Sequence, residues 1–235
     1  VTLCEEGSEL GGQLVYEKNI PFKQDLYRFV KVLERRLARL NVQVRLNRPM
    51  TPEDAAAEQA DVVICAIGAK AVVPQIPGIG GKNVFGLDAL HTDPDRLGQN
   101  VVILGGGLVG SESAVYLAGL GKNVTVVEMK DDWAGDSYFM HKNALLRAMR
   151  GKNIRICVKT TATAVTEQGL ICRTSDGETF FPADSILLAS GMRANRDEAN
   201  EFLNTAARVF FVGDCIKPGR VVDAVTIGHY RAIDI

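Results

Sequence analysis

Three things are scarce in this 235-residue sequence: long apolar runs, paired cysteines and charge of one sign. No apolar stretch approaches the ~20 residues needed to cross a bilayer, and the start carries neither the charged nor the apolar region of a secretory signal. A membrane partner is not expected, and a cytoplasmic location is. The formal net charge is −1, from 27 basic and 28 acidic residues, so nothing draws in a polyanion and no nucleic-acid partner is implied. The five cysteines (Cys4, Cys65, Cys157, Cys172, Cys215) form an odd set without a C-x-x-C pair. Reduced, structural thiols fit that pattern better than a disulfide framework, and it offers no dithiol for a thioredoxin-reductase-like mechanism. His91, His141 and His229 are too scattered for a metal centre; packing or surface roles are expected of them.

What is present is ordinary globular material, 46% apolar and 23% charged, long enough for two modest α/β domains or one large one. Nothing in it specifies a homo-oligomer or excludes one. The sequence opens directly on a strand-like "VTLCEE" without an initiating Met, so a piece of something longer is expected. Val1–Cys4 reads as a strand, and residues 23–40 as an amphipathic helix with Leu26, Phe29, Val30, Leu33, Leu37 and Leu40 on one face. Residues 42–46 alternate as a strand. "DVVICAIGA", closing on Gly68, is a continuous apolar run of the kind buried on both faces of a parallel sheet. "VVPQIPGIGG" reads as a linker.

Beyond it comes a βαβ unit: a strand at 101–104, a helix at 108–120, and a strand at 123–128 ending in an acid. A helix over 137–150 and a strand at 154–158 follow. Three alternating segments predict an antiparallel meander with turns at Gln168-Gly169 and Asp176-Gly177. "DSILLASGM", ending in Gly191, echoes "DVVICAIGA", which suggests two related units. The final "ARVFFVGDCIKPGRVVDAVTIGH" has no glycine fingerprint of its own. It is therefore expected to return to the first unit, giving segments 1–75 and 193–235 around an inserted unit 76–192.

The chemistry concentrates in "VVILGGGLVG". Gly105 permits a tight turn, Gly107 lets the backbone approach a pyrophosphate, and Gly110 lets the helix close on the strand. Leu108 and Val109 open that helix, whose free amides and positive end favour an anion. Glu128 follows Gly105 at about the ~20-residue spacing of an acid that accepts from ribose hydroxyls and repels a 2′-phosphate, which predicts NAD(H) over NADP(H). Lys130 works against that discrimination. Glu112, expected in the first helical turn, either meets the helix dipole or orients a nicotinamide carboxamide. In the first unit Glu5 occupies the place of Glu128, a second candidate ribose contact. The glycine fingerprint belonging to Glu5 would precede Val1. Without that central strand, the Val1 and Val62 strands lack their shared neighbour.

Taken in order, "VTLCEEGSELGGQL", the paired "CAIGA" and "LASGM", "VVILGGGLVGSESA", "VVEM" and "VFFVGDCIKPGRVVDAVTIGH" resemble the C-terminal region of NADH:flavin oxidoreductases of the 2,4-dienoyl-CoA reductase, 2-enoate reductase and trimethylamine dehydrogenase type. The resemblance implies two Rossmann-like, glutathione-reductase-like domains, an NAD(P)H domain inserted in one for FAD or ADP. By position, Glu5 would contact the adenosine ribose, Gly11 and Gly12 would line the nucleotide cleft, and Gly68 would close it. Gly213 and Asp214 would hold the ribityl or pyrophosphate region of FAD, although Asp214 also suits a plain capping role. Cys215 is expected to be a buried free thiol. The family's N-terminal barrel, with its FMN, iron–sulfur cluster and substrate site, has no counterpart in this sequence and would be the partner of this part within one parent chain. The implied activity is passage of hydride from NADH to FAD. Two alternatives stay open: a non-catalytic ADP-binding scaffold, and a stand-alone NAD dehydrogenase, which would lack a substrate-facing acid and base.

Overall fold

The computed structural model describes residues 1–235, and the chain divides into two units: Val1–Lys70 with Met192–Ile235, and Ala71–Gly191. Unit 1 begins with β1 (Thr2–Cys4), α1 (Gln24–Arg39), β2 (Gln43–Arg45), α2 (Pro52–Ala57), β3 (Val62–Cys65) and β4 (Ala69–Ala71). Unit 2 contains β5 (Val84–Phe85), α3 (Leu87–Thr92), β6 (Asn100–Leu104), α4 (Leu108–Gly119), β7 (Asn123–Val127), α5 (Phe139–Met149), β8 (Ile154–Cys157), β9 (Thr161–Thr166), β10 (Gly169–Thr174), β11 (Gly177–Pro182) and β12 (Ser185–Leu188). The chain then returns with β13 (Met192–Ala194), α6 (Arg196–Asn200), β14 (Arg208–Phe211) and α7 (Val221–Ile233). This is a Rossmann-type α/β architecture.

Unit 2 is built on a five-stranded parallel sheet in the order β5-β12-β6-β7-β8. The run Val101-Val-Ile-Leu104 is apolar throughout because both faces of β6 are covered. Val101 and Ile103 pack with Ala114 and Leu117 of α4, while Val102 and Leu104 pack against Val165, Leu170 and Phe181 of the antiparallel β9-β10-β11 meander. The two hairpin turns fall at Glu167-Gln168 and Ser175-Asp176, one residue earlier than the sequence suggests. Each positive-φ glycine instead opens the next strand, and a Cβ on Gly169 would lie 2.1 Å from the Phe181 carbonyl oxygen.

The stretch 72–81 is more than a linker. Ile76 and Ile79 pack into the meander core, Pro77 accepts a hydrogen bond from the Val165 amide at 2.8 Å, and a Cβ on Gly78 would sit 2.0 Å from the Val165 carbonyl oxygen. Its prolines and glycines serve close contact there, which composition alone does not reveal.

Unit 1 is built differently. β1 pairs in parallel with β2, β3 pairs in parallel with β14, and β4 pairs with β13; these are three separate two-stranded ladders. No strand of this sequence pairs with the free edge of β1 or of β3. The core here is small: Ala55 of α2, Cys65 and Phe202, with Val63, Val209 and Phe211 beside them. α2 is locally specified, with Thr51 Oγ1 accepting from the Asp54 amide and Asp54 accepting from the Thr51 amide, a capping box ahead of Pro52.

All five cysteines are free thiols. Burial pushes Cys65 up to about 11 and Cys172 up to about 12, and it raises Cys215 as well. Because the thiolate is the reactive form, iodoacetamide at pH 8 should label the half-buried Cys4 and Cys157 of the native protein well before the other three. Peptide mapping by mass spectrometry reads this directly, and uniform labelling would contradict the packing described.

Candidate nucleotide site

The site in unit 2 grows out of the end of β6. Gly105, at φ 112°, turns the chain so sharply that a Cβ there would lie 2.3 Å from the Ala189 carbonyl oxygen. A Cβ on Gly110 would lie 2.0 Å from the Gly105 carbonyl oxygen, so only glycine lets the first turn of α4 close on the strand it follows. Gly107 is the residue before α4 and is extended. The amides of the first helical turn that follow, beginning with Leu108 and Val109, are the ones no intrahelical carbonyl can satisfy.

Glu128 stands just beyond β7, buried, with its carboxylate fixed at both oxygens. The Gly106 amide donates to Oε2 at 2.7 Å and the Lys130 amide to Oε1 at 2.8 Å. Its backbone is held too, by the Cys157 carbonyl at 2.8 Å and the Thr160 amide at 2.9 Å. A carboxylate has about four acceptor positions, so two remain after these bonds. The acid is therefore both anchored to the glycine turn and still able to accept.

Glu112 lies just past the first helical turn in which the sequence suggests it. α4 begins at Leu108, which puts Glu112 in its second turn, away from the free amides. It is buried, and its Oε1 lies 3.1 Å from Nε2 of His141 on α5. That histidine was expected only to pack or face solvent. No local pattern connects residues on two different helices, and only the packing of α4 against α5 brings them together.

Asp136 is a second residue that sequence reasoning passed over. It lies in the loop between β7 and α5, and its Oδ1 accepts from the Leu108 amide at 2.8 Å. Gly191, at φ 102°, lies past β12, and its carbonyl accepts from the Val72 amide at 2.9 Å.

In unit 1 the candidate residues fall on two ladders. Beside β1 and β2, Glu5 Oε1 accepts from the Gly7 amide at 2.8 Å, and Gly11 (φ 126°) and Gly12 (φ 53°) make a turn against Val30. Beside β3 and β14 lie Gly68 (φ 69°), Gly213 (φ 68°) and Asp214, whose Oδ1 accepts from the Gly219 amide at 3.1 Å. That bond closes the loop leading into α7. No shared strand joins the two groups.

Comparison with known proteins adds the following. The family described as pyridine nucleotide-disulphide oxidoreductase matches residues 28–228. The whole chain is 33% identical over 235 residues to a bilirubin reductase of Mediterraneibacter gnavus and 32% identical over 241 residues to an NADH oxidase of Thermoanaerobacter brockii; it spans 37% of each of those proteins. A 2-naphthoyl-CoA reductase solved with 2-naphthoyl-CoA superposes over the whole chain with a TM-score of 0.94 at 26% identity, the chain covering 36% of that protein. These reductases agree with the resemblance drawn from the motifs.

The close approach at Gly110 can be tested by adding one methyl group. Gly110→Ala should destabilise unit 2 by about 1–3 kcal/mol, the range for overpacking. The urea midpoint followed through Trp133, the single tryptophan and a neighbour of Ala134 in the unit 2 core, would report it. An unchanged midpoint would mean that the turn can open at no cost.

Proposed function

The chain belongs to the pyridine nucleotide-disulphide oxidoreductase family, and from that premise we propose that it is the electron-input part of a larger flavin-dependent NADH oxidoreductase. The observation that carries this reading is Glu128. Anchored by the Gly106 and Lys130 amides, its carboxylate keeps acceptor positions for a ribose diol within one residue of the glycine turn. The same negative charge disfavours a 2′-phosphate, which supports NADH over NADPH. Unit 2 would hold NADH through Gly105, Gly107, Leu108, Val109 and Gly110. Unit 1 would hold FAD through Glu5, Gly11, Gly12, Gly68, Gly213 and Asp214, completed by a strand from the parent protein between β1 and β3.

When bound, the two cofactors supply the hydride donor and acceptor. The work left to this chain is binding and orientation. The first turn of α4 presents amides to a diphosphate, Glu128 fixes the ribose end, and Glu112, steadied by His141, is the candidate to orient a carboxamide. No side chain has to move a proton for that transfer. The sequence has no C-x-x-C pair, and Cys65, Cys172 and Cys215 are buried, so this reading uses no dithiol. The chain spans little more than a third of the reductases it matches. Reduction of an unsaturated substrate would then fall to the remainder of the parent protein, which the motif resemblance implies to be an N-terminal barrel with FMN and an iron–sulfur cluster.

Two experiments test this. Glu128→Arg should shift the NADH-to-NADPH preference by about tenfold or more toward NADPH, the equivalent of one lost charge-assisted hydrogen bond. Titration calorimetry with each nucleotide measures it, and an unchanged ratio would remove Glu128 from the site. Chromatography of nucleotide released from the denatured parent protein should give FAD beside the FMN of the barrel; ADP in place of FAD would favour a nucleotide-binding scaffold instead.

A further inference from the structure

α4 has no cap from its own N-terminal residue, Gly107. Its first amide, that of Leu108, is instead taken by a carboxylate 28 residues away, Asp136 Oδ1 at 2.8 Å. The two Asp136 carboxylate oxygens also stand over Gly107, 3.2 and 3.5 Å from where a Cβ would be. An anion thus already occupies the position where the glycine pattern calls for a diphosphate. Asp136 is exposed, with Gly135 before it, and its loop is tied down at the neighbouring Ala134, whose amide donates to the Gly106 carbonyl at 2.6 Å. The side chain can therefore leave the helix end while the loop stays in place.

Resting on the dinucleotide reading of unit 2, we propose that Asp136 is an internal stand-in for the diphosphate, an autoinhibitory contact that every dinucleotide must displace before it can bind. A diphosphate seated on the Leu108 amide cannot share that donor with Asp136, so binding there breaks the Asp136–Leu108 bond and leaves the displaced carboxylate near a like charge. Dinucleotide affinity is lowered by that amount. The free site is kept satisfied, and anions too weak to displace the carboxylate are rejected.

The test is calorimetric binding of NADH, and of inorganic pyrophosphate as the bare anion, to the full chain and to Asp136→Asn, Asp136→Ala and Glu128→Ala. Asp136→Asn is decisive because it removes the charge, preserves the shape and keeps an oxygen to accept from Leu108. It should bind both probes about twofold to fivefold more tightly, the range of one helix-end charge effect. The gain should shrink as salt screens the carboxylate. Asp136→Ala should bind at least as tightly while losing some stability, which Trp133 fluorescence in urea would show. Unchanged or weaker binding by Asp136→Asn, with Glu128→Ala weakening NADH, would overturn this proposal alone. If Glu128→Ala leaves NADH affinity unchanged, the dinucleotide reading fails and takes the proposal with it.

Discussion

The pair of hydrogen bonds that the Glu128 carboxylate accepts, one from the glycine turn and one from its own strand end, is the constraint on which the rest of unit 2 turns. A buried carboxylate is costly unless its charge is met by donors, and here both donors are backbone amides whose positions are fixed by β6 and β7. The acid therefore cannot drift from the turn without leaving either itself or the Gly106 amide unsatisfied. The same bonds hold the Gly105–Gly107 segment in the conformation that α4 needs to start where it does. Structure and candidate chemistry are served by one group.

The two units solve the problem of burial unequally. Unit 2 covers both faces of its sheet, one with α4 and the other with the meander, so that alternate residues of β6 enter different cores. Unit 1 distributes its strands over three short ladders and leaves Ile64 of β3 and Val44 of β2 exposed, with Val222, Val225 and Ile233 of α7. Two-stranded pairs have little independent stability. Glu128 accepts two hydrogen bonds at its carboxylate and Glu5 one, from the Gly7 amide, while the backbone of each is held at both its amide and its carbonyl.

Much of this was legible in the sequence because it rests on local rules. The apolar run at Val101–Leu104, the glycine spacing and the acid at Glu128 are dictated by the geometry of one βαβ unit. Helix α1 is legible from its apolar spacing, and so is the meander, although its turns shift by a residue because Gly169 and Gly177 use their conformational freedom to enter a strand. What could not be read depends on distant packing. The segment at 72–81 looks like a linker until the Val165 carbonyl is placed over Gly78. The Glu112–His141 contact joins two helices, and Asp136 reaches α4 from a loop with no recognisable pattern. In each case the partner lies far along the chain, where neither periodicity nor spacing has reach.

The open ladders of unit 1 carry a consequence of a different kind. β1 and β3 each present one side without a hydrogen-bonding partner, and an unpaired strand edge accepts any extended segment that comes to it. For this chain on its own those edges are surfaces for encounter. Two copies meeting edge to edge can complete one another's ladders, and a pairing of that kind grows with concentration while unit 2 remains folded.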